Sequence, residues 1–412
     1  MNNKLKLAVA AALVAGASSA QAGIMIPAGD WTLDIGGVVN AYYTNTSFSG
    51  DTGAGAGPLG LGDGNADSVN NITTGLLPNY LSVSGKTRQN DLDVAFTISI
   101  NPGASTTQAG FQGSQQENRQ AFLTFGDASW GSIKLGKDLG IYASDAILND
   151  MTLLGVGSSA GSLAGNTTTL GRIGTGFMYA DWKSQVAYTS PNWNGFSFTV
   201  GVTQAFNAIG DGDISTDTTS AFSTRRGGSQ SAYEGKASYE WTGDVAGKVW
   251  ASFISQKVEG LSAFVSGSEV ALSDDRATAF DIGTTVNVAG LGLTAYYGSG
   301  DGIGQTVQLA GGFDETGRSR DSDQWYVQAT YALPTATKVG VSYGESTLDG
   351  NRVDGFSDIE DSMWVIGAYH PITKHLNLVA EYSESERDVN NRGAADETAK
   401  ARTVSLGAIL FF

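Results

Sequence analysis

Few residues in this chain could make or break a bond. It has no cysteine and two histidines, His370 and His375, which flank a short turn predicted at Ile372-Thr373-Lys374 and read as rim residues rather than ligands. Without cysteine there is no disulfide framework and no thiolate metal site. Nothing orders a Ser/His triad, and no Gly-x-x-x-x-Gly-Lys-Ser/Thr phosphate loop occurs. Asp211-Gly212-Asp213 and Gly298-Ser299-Gly300-Asp301-Gly302 offer oxygen ligands for Ca²⁺. The twelve-residue spacing closed by Glu is missing, so plain turns are expected there. The reading is of a non-enzymatic protein with no cofactor and no metal.

What remains is charge placed to act at a distance. The longest polar stretch, about 139–178, carries Asp145 and Asp150. Lys86 and Arg88 share one face of an alternating segment with Ser82 and Ser84, and Lys134 stands between Ile133 and Leu135 on another. Opposite charges facing each other across water make a transverse field that sorts passing ions. Such a field needs a frame that keeps the two sets apart around a wet space.

The rest of the sequence reads as that frame. Gly is 56 of 412 residues, Pro only 7, charged residues 16% and aromatics 10%. Segments of roughly ten residues with period-two alternation recur throughout, the length a tilted strand needs to cross a bilayer. Leu92, Val94, Phe96, Ile98 and Ile100 form one apolar face; Phe196, Phe198, Val200 and Val202 another; Val404, Leu406, Ala408, Leu410 and Phe412 close the chain. Alternation alone also suits a soluble sandwich. The connectors favour a barrel: seven short ones, such as Gln89-Asn90 and Ala289-Gly290, alternate with eight long polar stretches at about 45–77, 102–117, 138–178, 206–230, 258–276, 301–320, 349–361 and 388–399. Fifteen connections predict sixteen strands, an all-β, antiparallel transmembrane barrel with short periplasmic turns and long external loops. Aromatics at strand ends, among them Tyr42, Tyr43, Trp130, Tyr179, Trp182 and Trp193, are expected at the membrane interfaces.

The first 22 residues read as an export signal. Lys4 and Lys6 precede an apolar run from Leu7 to Gly16, and Ala20-Gln21-Ala22 fits the small-residue cleavage pattern, with cleavage before Gly23 and the barrel over 23–412. With 41 acidic against 24 basic residues the formal net charge is −17. No Lys/Arg cluster suited to phosphates occurs, which argues against a nucleic-acid partner.

A local block carries a family resemblance. It runs Asn118-Arg119-Gln120-Ala121-Phe122, Gly131-Ser132-Ile133-Lys134-Leu135-Gly136-Lys137, Leu170-Gly171-Arg172-Ile173-Gly174 and Val186-Ala187-Tyr188-Thr189-Ser190-Pro191, then a short turn and Gly195-Phe196. With the alternating loops and the terminal Phe412, the chain resembles the general, nonspecific trimeric porins of Gram-negative outer membranes along essentially its whole mature length. The resemblance implies that the third loop folds into the barrel and narrows it. It puts Arg119 and Arg172 on a basic wall, Asp150 on the facing loop, and an assembly signal at Phe412. Ser82 stands where a third wall cation is expected, and an acid is missing near Leu154, so a weakened field is implied. The expected protein is an outer-membrane homotrimer, in contact with lipid, for passive diffusion of ions and small hydrophilic solutes. A substrate-selective channel for anions or sugars is the alternative, requiring a row of Arg/Lys or stacked aromatics.

Overall fold

Alternate residues of each strand fall into two environments. On Trp31–Gly50, Val38, Asn40, Tyr42, Thr44 and Thr46 are buried, whereas Val39 and Tyr43 are exposed. Ile98, Val186, Val200, Phe253, Ile282, Val341, Ile366 and Leu406 are exposed in the same way on other strands. An exposed apolar band repeated strand after strand is far larger than a soluble monomer carries, and it is the outer face that lipid requires.

The computed structural model describes residues 23–51, 59, 61, 67–106, 116–158, 167–209, 220–265 and 268–412. The export signal over 1–22 and the Asp211-Gly212-Asp213 turn lie outside them. Among the described residues, sixteen antiparallel strands close into a barrel. They are β1 (Trp31–Gly50), β2 (Ser68–Thr73, resumed at Tyr80–Gln89), β3 (Leu92–Pro102), β4 (Gln116–Glu117, resumed at Ala121–Asp127), β5 (Gly131–Leu139), β6 (Trp182–Thr189), β7 (Phe196–Thr203) and β8 (Ala232–Trp241). The second half comprises β9 (Val245–Val258), β10 (Asp275–Val288), β11 (Leu291–Asp301), β12 (Asp321–Ala332), β13 (Lys338–Asp349), β14 (Phe356–Pro371), β15 (Leu376–Asn391) and β16 (Glu397–Phe411). Each strand pairs with its sequence neighbours, and β16 closes on β1 from Val38↔Phe411 to Gly50↔Ala399. Closure leaves no unpaired strand edge in lipid, where no water could satisfy it. A short strand, Ile24–Ala28, pairs with residues 31–35 of β1 in the row that β16 vacates.

Two features depart from the sequence expectation. The last two outer connections are short, residues 350–355 and 392–396, because β14, β15 and β16 run on through residues expected to be loop. Above the lipid both faces of a strand meet water, so the alternation that marks a strand fades. Of the aromatics expected at the membrane interfaces, Tyr42, Tyr179 and Trp182 point inward instead. Tyr42 donates to the Leu154 carbonyl (2.8 Å), and Tyr179 and Trp182 line the channel.

Candidate functional site

The described parts of the third outer connection, residues 140–158 and 167–181, enter the barrel and dock on half of its wall. The connection carries a short helix (Ser144–Leu148) and a 3₁₀ turn (Met151–Leu154). Glycines let it double back: Gly157 has φ +67°, and a Cβ there would lie 2.5 Å from the Gly171 Cα, so only glycine permits the two segments to meet.

Wall side chains satisfy the loop's backbone groups, which would otherwise be costly to bury. At the root, Glu234 of β8 accepts from the amides of Ile141 and Tyr142 (both 2.8 Å), from Thr203 (2.7 Å) and from the fully buried Lys183 (2.6 Å). Further along, Gln328 of β12 accepts from Met151 N (2.7 Å) and donates to the Asn149 carbonyl (3.0 Å), and Tyr326 donates to that of Ala146 (3.0 Å). On β15, Glu381 accepts from the amides of Val156 (2.7 Å) and Gly157 (2.9 Å). The break in β2 closes this seam: residues 74–79 turn inward, and the Leu76 amide donates to the Gly155 carbonyl (2.9 Å). The loop is thus held against β8 to β15 and β1. The space left open lies on the other side, a cavity of about 930 Å³ walled by β4 to β8 and by the loop itself.

The anticipated charges fall into different places. Arg119 and Lys134 line this cavity. Arg119 is 5% exposed, paired with Glu117 (2.8 Å), bonded to Thr167 (3.2 Å) and stacked 5.7 Å above the Trp182 ring. Lys134 pairs with Asp138 and lies 4.9 Å from the Phe122 ring centroid. Asp145 sits behind the cavity surface, bridging Lys236 of β8 (3.1 Å) and Lys248 of β9 (2.6 Å). Burial raises its carboxyl, but the two ammonium groups outweigh this and hold it below the ordinary aspartate value. Asp145 therefore stays charged as pH falls through the usual carboxylate range and keeps its bridge to both lysines.

Asp150 and Arg172 do not face the channel. Asp150 caps the 3₁₀ turn, accepting from Thr152 N (3.0 Å) and Oγ1 (2.6 Å). Burial pushes its carboxyl up, against the opposing pull of Arg172 and Thr152. Arg172 belongs to the loop and is wholly buried; it donates to the carbonyls of Thr175 (3.1 Å) and Met363 (2.9 Å). Its placement on an open wall is thus corrected: the loop folds back so that Arg172 packs between loop and β12–β14, 5.9 Å from the Tyr326 ring. Lys86 and Arg88 do lie on the inward face, as alternation indicated, but line a separate cavity of about 630 Å³ next to the short turns. There Arg88 pairs with Asp93 and Asp127, both at 2.9 Å. His370 lies at the same end, its Nδ1 2.9 Å from Thr337 Oγ1.

This separation has a measurable consequence. Asp145→Asn leaves Lys236 and Lys248 with one fewer negative partner beside the path, so reversal potentials in a KCl gradient should move toward anions. Arg172→Gln and Asp150→Asn, both behind the loop, should leave them unchanged. A shift for Arg172→Gln as large as for Asp145→Asn would contradict this geometry.

The sequence model of a family described as Gram-negative porin matches residues 7–390. The chain belongs to the Gram-negative porin family. This porin is an outer-membrane channel, and its fold has solved counterparts. It is similar to the outer-membrane channel DcaP of Acinetobacter baumannii (16% identity over 95% of this chain and 100% of that one, TM-score 0.64). It is also similar to an anion-selective porin from Comamonas acidovorans (14%, 93% and 100%, TM-score 0.59) and to the trimer form of in-vitro folded OmpT of Vibrio cholerae (13%, 93% and 99%, TM-score 0.54). At these identities the likeness is one of fold. No curated protein matches the porin.

Proposed function

We propose that this porin is a weakly selective passive channel for ions and small hydrophilic solutes, not an enzyme, and that it assembles as a homotrimer in contact with outer-membrane lipid. The observation that carries the reading is the pairing of charge at the constriction. Arg119 is matched by Glu117, Lys134 by Asp138, and Lys236 with Lys248 by Asp145 and Glu240, while Lys137 and Asp181 add one charge of each sign to the lining. A wall of matched pairs presents local dipoles rather than one strong field, so it admits either ion. The anion selectivity of the Comamonas protein would need unmatched cations here. The trimer form of the Vibrio protein supports the oligomeric state.

The test is conductance in planar bilayers. The expected result is steady KCl steps with a permeability ratio near one. The double variant Glu117→Gln, Asp138→Asn, which leaves Arg119 and Lys134 without carboxylates, should turn the channel anion-selective. A strongly selective wild type would contradict the matched-wall reading, and cross-linking that stops at monomer would contradict the trimer. Cleavage before Gly23 is part of the same proposal: the mass of the exported chain should correspond to a start at Gly23, immediately ahead of the strand Ile24–Ala28.

A further inference from the structure

The cavity has one feature that conduction of hydrophilic solutes does not use. Its loop side carries an apolar strip, flanked by Ser144 and by Thr167 to Thr169. Ile147, Leu148, Leu153, Leu170 and Ile173 line it, joined by Leu76 from the inward break of β2. Ile147, Leu153, Ile173 and Leu76 belong to one packed cluster that anchors the strip, with Leu170 against it. Leu148 stands clear, 43% exposed although it sits inside the barrel. The opposite side is polar, with Arg119 and Lys134 each held to a carboxylate and Gln120 and Gln185 between them. An apolar strip facing matched charges across a narrow wet gap is complementary to a solute divided the same way.

We infer that the constriction is a retention site for zwitterions with an apolar body, namely free amino acids with branched aliphatic or aromatic side chains. The inference rests on the channel reading above and names its preferred solute. The apolar side chain would lie on the Leu148 strip and displace water from it. The α-ammonium and α-carboxylate would face the paired wall. A net anion fits less well, because it competes with Glu117 and Asp138 for Arg119 and Lys134. A net cation meets the converse competition. A zwitterion adds a donor and an acceptor to pairs that already alternate in sign, and leaves each charge matched.

The test uses the full porin in planar bilayers, with block of the KCl current by added solute as readout. L-Leucine and L-asparagine are close in size and both zwitterionic, differing in the side chain. Full burial of a methylene is worth about four-fold in affinity, and half-burial about two-fold. Leucine has three aliphatic carbons where asparagine has its amide, so it should half-block at a concentration about eight-fold below that of asparagine, with hexanoate and hexylammonium weaker than leucine. Leu148→Ser, at an exposed position that leaves the packed cluster intact, should bring leucine and asparagine together, block being read against the variant's own KCl steps. Equal half-block by leucine and asparagine in the wild type, or an undiminished difference in Leu148→Ser, would overturn the strip. Stronger block by hexanoate than by leucine would overturn the choice of a zwitterion. Loss of KCl steps in the wild type would instead refute the channel reading on which this rests.

Discussion

Glu234→Ala should release the root of the infolded loop and produce the largest single-residue change in this channel. Four donors converge on that carboxylate: two loop amides, the Thr203 hydroxyl and the Lys183 ammonium. The Lys183 and Glu234 side chains are both 0% exposed. Removing one partner of a buried pair leaves an uncompensated charge and costs about 3–5 kcal/mol. Gln308 still accepts from Lys183 at 2.6 Å, which moderates the loss without supplying a counter-charge. The β-ladders are untouched, so the barrel should persist while the loop loosens. The expected result is a higher and noisier single-channel conductance, with a lower temperature for the heat-induced shift in gel mobility. Glu234→Gln should be milder, since its carbonyl still accepts from one or two of the donors. Wild-type conductance and noise in the alanine variant would show that the loop is held by other contacts.

Deleting Phe412 should strongly reduce assembly with little change in the pore. The deletion removes the bonds Gly37 N to Phe412 O (2.8 Å) and Phe412 N to Gly37 O (3.0 Å). Two backbone bonds are worth about 1–3 kcal/mol net, small beside the ladder from Val38↔Phe411 to Gly50↔Ala399. The new terminus is Phe411, which is buried inside the barrel, so an assembly defect larger than this would be kinetic, arising from loss of the terminal aromatic at its alternate position rather than from an unstable barrel. The expected outcome is chain accumulating in the periplasm or degraded, and the minority that inserts conducting as the wild type does. Normal outer-membrane levels of heat-resistant oligomer would refute the marking role and leave closure standing.

The barrel was legible because a strand's period of two sorts its side chains by face. Leu92 to Ile100 and Val404 to Phe412 announce an outward face residue by residue. The same rule placed Lys134 inward, between Ile133 and Leu135. It could have found more: Glu234 and Lys236 fall on the inward side of the alternating segment Tyr233–Trp241, and Glu381 on that of Leu376–Tyr382. Charge at an inward position of a lipid-facing strand was the available signal for the groups that bind the loop. Arg172 and Asp150 were different. They lie in a segment without period, where the fold is decided by which wall residue meets which amide, and local sequence does not encode that pairing. Asp145 was located as a loop acid, but its partners Lys236 and Lys248 lie about a hundred residues downstream. The long outer loops expected at 349–361 and 388–399 failed for the opposite reason: alternation fades once both faces of a strand are wet.

The cavity between the infolded loop and β4 to β8 offers solutes one path, while the side of the loop toward β12–β14 is closed. The chain has no native cysteine, so a single introduced thiol reports its own surroundings. Leu148→Cys places one on the open side and Met363→Cys one on the closed side, where Met363 is 1% exposed. A charged methanethiosulfonate added to open channels should produce stepwise loss of current with Leu148→Cys and no change with Met363→Cys. Stepwise loss with Met363→Cys and none with Leu148→Cys would put the path on the wrong side of the loop and contradict the account.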